Sequence, residues 1–367
     1  MKTSDATAAL LCIGGMAIVG SSVSISQLIL DYPALTGQAA RYALAAAALF
    51  AIARRFPRLG AAGTPTVPDL ASSTPTSPDA GTATRSAPAT GADPLTSPGR
   101  PTARELGILT ALAATGLAAF NACILIALPH ADPAIVGTVI GAAPLGLALL
   151  GPLLRGGRPA TRLVAAAGMV VAGTALVQGS GRVDSIGILA SLGALGGEIA
   201  FSLLAAAVLP RLGPVRVAAY SCALAVPLLL VAALPAGELS RWRLPTPVEA
   251  ATLGYLAALM TVVAFLAWFT GLRRLGVERA GMIVGVMPLA TLVTAAIQAG
   301  RPPDPGQSAG VLVVAVGLAV GLTSRPGKRV RSTGPRPLAQ RDEERPDAER
   351  RNADQRDERS AARTASA

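Results

Sequence analysis

The chain has 367 residues, about half of them apolar (51%), and only 14% are charged. A soluble domain carries roughly a quarter of its residues as charge, so a water-facing surface over this whole length is excluded. The net charge of +11, from 32 basic and 21 acidic side chains, would suit a nucleic-acid partner. The distribution argues against one, because 12 of the basic residues follow Ser324 and six lie between Arg54 and Arg104. One His in the chain, and three Cys (Cys12, Cys123, Cys222) without ligand spacing, point away from a disulfide framework, a zinc site or a His-based triad. The composition is that of a membrane protein without a catalytic, metal or cofactor constellation.

A helix needs about 20 apolar residues to cross a bilayer, since lipid offers its backbone no other hydrogen-bond partner. Ten stretches meet this in chain order: 8–30, 33–53, 105–128, 133–154, 161–180, 185–209, 215–236, 248–272, 277–299 and 306–323. The first is too long for a signal peptide, and Lys2 and Asp5 give its start no positive excess. Residues 57–103 hold nine Pro among Thr, Ser, Ala and Gly, and 324–367 mix Arg, Asp and Glu. Neither segment can bury a core, so the first is predicted as a disordered loop and the second as a disordered charged tail.

Alternating ten spans from a cytoplasmic N-terminus places 27 of the 32 basic residues inside. Long segments count for little in such a comparison. The short loops alone still give eight inside against four outside (Arg182, Arg241, Arg243 and Arg301). Both termini are therefore predicted to be cytoplasmic, in a multi-pass protein of the plasma membrane.

The fourth and ninth spans share a pattern. Gly137-Thr-Val-Ile-Gly141-Ala-Ala-Pro144-Leu145 matches Gly281-Met-Ile-Val-Gly285-Val-Met-Pro288-Leu289 at an offset of 144. Gly157-Arg158-Pro159 and Gly300-Arg301-Pro302 follow them. This predicts a duplicated five-span unit, over 8–180 and 185–323, and an odd number of spans inverts the second copy. Inverted repeats are a common architecture of secondary transporters. The Gly pairs allow close helix approach, and Pro144 and Pro288 each remove a backbone hydrogen bond and should kink their helices. These six positions are the hinge and packing candidates.

Several short motifs now fall in a familiar order. They are Gly20-Ser21-Ser22 in the first span, Arg41-Tyr42 in the second, the two Pro-Leu helices, and the Gly-rich helices ending each unit (Gly168, Gly173; Gly310, Gly317, Gly321). In this order the chain resembles an EamA-type member of the drug/metabolite transporter superfamily, over about residues 8–323 outside the Pro-rich loop. It departs from the family pattern at Arg158 and Arg301, where Glu is usual, at Val19, where an aromatic is usual, and in the length of that loop. The resemblance implies ten transmembrane helices as two inverted five-helix repeats, moving a small metabolite or drug by alternating access.

Only Arg41 and Glu198 are charged well inside spans. A charge at the bilayer centre costs about 2.5–3.5 kcal/mol on insertion scales, so such residues face a cavity or pair with one another. Three readings stand: Arg41 binds an anionic substrate group, Glu198 carries a coupling proton, or the two form an ion pair that fixes packing. Uncharged candidates are Ser22 and Gln27 in the first span and Asn121 in the third. Ser and Thr in such helices commonly bond back to their own backbone. The expected activity is secondary active transport, with export as the expected direction. The expected partners are a small-molecule substrate, the bilayer, and a proton or other coupling ion; a homodimer stays open. A membrane receptor, scaffold or lipid-handling protein is the rival reading.

Overall fold

The computed structural model describes residues 3–29, 31–56, 100–179, 181–300 and 302–323. Residues 57–99 of the Pro-rich segment and the whole tail 324–367 lie outside the described residues. The described chain is helical throughout, with a single isolated antiparallel bridge between Ala131 and Val183.

In chain order the helices are α1 (Thr3–Ser26), α2 (Ala34–Arg55), α3 (Ala103–Ala127), α4 (Pro133–Ile140), α5 (Ala143–Leu154) and α6 (Thr161–Gln178). Then follow α7 (Ser185–Ala233), α8 (Pro247–Leu275), α9 (Val277–Ile283), α10 (Val286–Ala299) and α11 (Pro305–Thr323). The described residues contain nine helical segments long and apolar enough to cross a membrane, counting α4 with α5 and α9 with α10. Within the described residues each stretch expected from hydropathy forms a helix or a pair of helices, but the sixth and seventh are joined in the 49-residue α7.

That helix is not straight. At Gly213 φ is 74° and ψ is 164°, a backbone conformation that side chains with a Cβ rarely adopt, and Pro210 and Pro214 flank it. Its contacts reverse across this break. Near its start, Gly187 lies against the His130 carbonyl just past the end of α3, while Arg211 pairs with Glu105 at the beginning of α3. Beyond the break, Tyr220 packs edge-on against Phe50 near the end of α2, with ring centroids 5.3 Å apart. The chain following α7 then reaches Leu35 at the start of α2 through Glu238. The first half of α7 therefore runs antiparallel to α3, and the second half antiparallel to α2.

Features recur at the spacing of the sequence repeat. Thr102 and Glu105 form a capping box at the start of α3, and Thr246 and Glu249 form another, 144 residues on, at the start of α8. In each box the Thr hydroxyl accepts the Glu N–H and the Glu carboxylate accepts the Thr N–H, which satisfies two otherwise free donors. Both helices contain a π-helical stretch, Ala113–Ala119 in α3 and Leu256–Val263 in α8. The two Pro-Leu spans are also interrupted alike, by turns at residues 141–142 and 284–285. Pro144 and Pro288 cannot donate to the carbonyls of Ile140 and Val284, so each helix restarts there.

Glycine sets the closest helix contacts. A Cβ on Gly173 of α6 would stand 2.7 Å from the Val314 nitrogen and 2.8 Å from the Gly310 oxygen, both on α11. Gly20 brings α1 against α10, where its Cβ would lie 2.3 Å from the Met287 oxygen. Lipid supplies no hydrophobic drive between helices, so close packing of this kind is what holds them.

Candidate functional site

Polar groups inside the bundle define the candidate site. Arg41, one turn after Gln38 on α2, is buried at 5% exposure. One of its guanidinium nitrogens donates to the Met260 sulfur at 3.1 Å, and the group lies over the Tyr42 ring, 4.6 Å from its centroid. Met260 belongs to the π-helical stretch of α8, so the second span of the first half meets the third span of the second half at this arginine. Arg41 Nε has no hydrogen-bond partner among the described residues.

Glu198 lies on the first half of α7 and is half-buried. It forms neither a hydrogen bond nor an ion pair within the described residues, so the Arg41–Glu198 pair considered from the sequence is absent there. Its helical face also carries Phe201 and Ser202. Phe201 packs against Phe265 and Phe269 of α8, with centroids 5.4 and 5.3 Å away. Arg41 thus touches α8 at Met260, and the Glu198 face touches it at Phe265. Five residues of rise separate those points along α8, or ~7.5 Å. Arg41 reaches α8 directly, and the helix that carries Glu198 reaches it through Phe201.

Other buried polar atoms without a partner among the described residues are Gln38 Oε1, Ser202 Oγ, Trp268 Nε1, Thr138 Oγ1 and Thr174 Oγ1. Gln38 and Ser202 belong to the helices that carry Arg41 and Glu198, and Trp268 to α8, which Arg41 and Phe201 touch. Native interiors rarely leave such groups unpaired without a functional reason, and in a membrane interior the cost is higher still. Thr138 and Thr174 form a separate patch between α4 and α6, where a Cβ on Gly141 would stand 2.6 Å from the Thr174 methyl.

The uncharged candidates are largely taken up by their own helices. Ser21 and Ser22 donate to the Ile18 carbonyl at 3.0 and 2.7 Å. Asn121 donates to the Leu117 carbonyl at 2.6 Å, an acceptor at the edge of the π-helical stretch of α3. The Gln27 side chain lies outside the described residues. Gly137 and Gly141 face Gln178 and Thr174 of α6, Gly281 faces Leu147 of α5, and Gly285 faces Val170 of α6. Pro144 and Pro288 are buried at the two restarts.

Contacts at the helix ends complete the site. At one end Arg155, just after α5, pairs with Glu278 of α9, and the face of Gly151 lies on the same carboxylate. At the other, Glu238 accepts the N–H groups of Leu35 and Thr36 at 3.1 and 2.9 Å. It thereby caps α2, whose own N-cap residue is Pro33 and has no capping side chain. There too Asp184 accepts the Gly187 N–H at 2.9 Å and meets His130 Nδ1 at 2.8 Å. These contacts, the Gly187 N–H first and His130 second, hold the Asp184 carboxyl below its ordinary pKa. Sequence reading missed Glu278, Glu238, Gln38 and Met260, because each acts through a partner at least a helix away or through a single turn of helical phase.

Comparison with known proteins follows the same lines. Residues 185–323 match the model of the EamA-like transporter family. No curated protein matches the chain. The crystal structure of a protein 17% identical in sequence superposes with a TM-score of 0.61, covering 86% of this chain and 96% of that one. That likeness, in fold alone, extends well beyond the family match into the first half. The family likeness lies in residues 185–323, which resemble the EamA-like transporter family, part of the drug/metabolite transporter superfamily.

Proposed function

We propose that this membrane transporter is a secondary active exporter of a small metabolite or drug, working by alternating access between two inverted five-helix repeats (8–180 and 185–323). In this reading α7 crosses the membrane twice, divided at the break at Gly213, for ten crossings in all. An unbroken 49-residue helix would run ~73 Å at 1.5 Å per residue, more than twice a hydrocarbon core of ~30 Å. With both termini in the cytoplasm of a plasma-membrane protein, the Arg155–Glu278 end faces inward and the Glu238 end outward.

One observation carries the mechanism. The two interrupted helices meet at a single end. There α5 packs on α9 through Arg155–Glu278 and through Leu147, 2.9 Å from where a Gly281 Cβ would be. At the other end they part: α4 packs against α6 and α7, and α10 packs against α1, where Thr291 donates to the Gly20 carbonyl at 3.0 Å. On the proposed orientation this arrangement is the inward-closed one. Bending at the turns 141–142 and 284–285 would reverse it, with Gly137, Gly141, Pro144, Gly281, Gly285 and Pro288 as the hinge and packing set.

Arg41 is the substrate contact in this account, because its charge is buried without a carboxylate partner. Glu198 is the coupling carboxylate, free to load and release a proton. Metabolite profiling of cells with and without the protein identifies candidate substrates, and uptake into proteoliposomes tests them. Arg41→Ala is expected to abolish saturable uptake. Glu198→Gln is expected to flatten its dependence on pH; intact uptake with unchanged pH dependence would remove Glu198 from the mechanism.

A further inference from the structure

A groove of about 430 Å³ runs between α2 and the second half of α7 at the Glu238 end. Its walls are Ala39, Ala40 and Ala43 on α2, and Val226 and Leu230 on α7. Three alanines on one wall leave a slot where larger side chains would close the helix pair. Ala43, Leu230 and Trp242 are exposed, so the slot opens on the surface that lipid covers. From Thr36 at its mouth to Ala43 is seven residues of helix, or ~10 Å of depth into the membrane.

The mouth is the 3-10 turn Leu239–Arg241 followed by Trp242. Trp242 is 56% exposed, as an interfacial tryptophan is. Two arginines stand here and differ in their partners. Arg243 is held by Glu249 through two hydrogen bonds of 2.7 and 2.6 Å, and lies over the Tyr32 ring. Arg241 donates only to the backbone carbonyls of Ala236 and Gly237, at 2.9 and 3.4 Å, and has no carboxylate partner among the described residues. An exposed cation thus sits on the turn whose Leu239 and Trp242 line the mouth of an apolar slot running along α2.

We infer that this groove binds an anionic glycerophospholipid of the adjacent leaflet, with its phosphate on Arg241 and one acyl chain between α2 and α7. A free phosphate would leave the slot unused, and an uncharged amphiphile would leave Arg241 unmatched. The assignment requires neither the transport reading nor a choice of which side of the membrane this end faces.

The test is native mass spectrometry of the full chain, delipidated in detergent and titrated with dioleoyl phosphatidylglycerol or dioleoyl phosphatidylcholine. One phosphatidylglycerol adduct is expected to persist in excess over phosphatidylcholine. Arg241→Gln should weaken it about fivefold, the effect of one basic residue on an anionic lipid. Ala40→Phe, which fills the slot, should weaken both lipids. Ala43→Leu at the open edge serves the same purpose should the larger side chain prevent folding. Equal retention of the two lipids, adducts indifferent to Arg241→Gln, or adducts indifferent to both slot-filling changes would each overturn the inference.

Discussion

The contact between α6 and α11 gives the sharpest test of how the bundle is held. Gly173→Ala adds one methyl group where the nearest atoms are the Val314 nitrogen at 2.7 Å, the Gly310 oxygen at 2.8 Å and a Val314 methyl at 2.7 Å. Two of the three are backbone and cannot rotate away. Restoring ordinary contact near 3.4 Å means separating the helices by roughly 0.7 Å, an overpacking strain of about 1–3 kcal/mol. The same substitution at Gly168, on the same helix, meets nothing within 4 Å. There the better helix propensity of Ala should help by up to about 1 kcal/mol. Thermal unfolding in detergent, followed by tryptophan fluorescence, should show Gly173→Ala melting clearly below the parent and Gly168→Ala at or above it. Equal shifts for the two variants would refute the claim that backbone contact at Gly173 sets this crossing.

Three further outcomes follow from the helix ends. Glu278→Gln breaks the pair with Arg155, whose side chains are 23% and 55% exposed. Such pairs contribute about 0.2–1 kcal/mol, so the melting temperature should barely move while uptake kinetics change, and the swap Arg155→Glu with Glu278→Arg should restore them. Glu238→Ala removes a buried carboxylate from two N–H donors of α2 and should cost about 2 kcal/mol, read as a lower melting temperature that Glu238→Gln partly recovers. Asp184 has a folded pKa below its ordinary 3.8, so its stabilising contribution is complete above that value and is lost as pH falls through the folded pKa. The parent should therefore lose melting temperature on acidification below about pH 4, and Asp184→Asn should remove that part of the slope.

The fold was legible wherever one physical signal dominated. Apolar runs located every long helix among the described residues, because a lipid-facing helix must be apolar along its length. The Gly-x3-Gly-x2-Pro spacing located the interruptions, because a proline cannot donate the hydrogen bond its helix needs. The junction at Gly213 was harder to read. Only glycine tolerates its φ, yet Leu212-Gly213-Pro214 looks like an ordinary short loop in the sequence. The π-helical stretches of α3 and α8 left no trace, since one extra residue in a turn changes neither composition nor length. In the site, Arg41 and Glu198 stood out because charge is rare in a membrane interior. Whether they touch depends on the rotation of α2 and α7 about their axes, which an apolar helix with little amphipathic pattern does not encode. Arg41 turned to Met260, and Phe201, one turn past Glu198, to the aromatic residues of α8. The long-range caps were hidden for another reason: Glu238 reaches α2 across 202 positions, and nothing near Pro33 announces it.

Alternating access is the central claim, and paired distances at the two ends of the interrupted helices test it most directly. Spin labels at Leu154 and Arg274 report the Arg155–Glu278 end, and labels at Ala134 and Ile297 report the other. They are placed in a background with Cys12, Cys123 and Cys222 replaced by Ala, in lipid nanodiscs, with pH and added metabolite extract varied. The account predicts reciprocal populations, in which a short distance at the first end accompanies a long one at the second, and the reverse. A single unchanging distance at both ends under all conditions would contradict it.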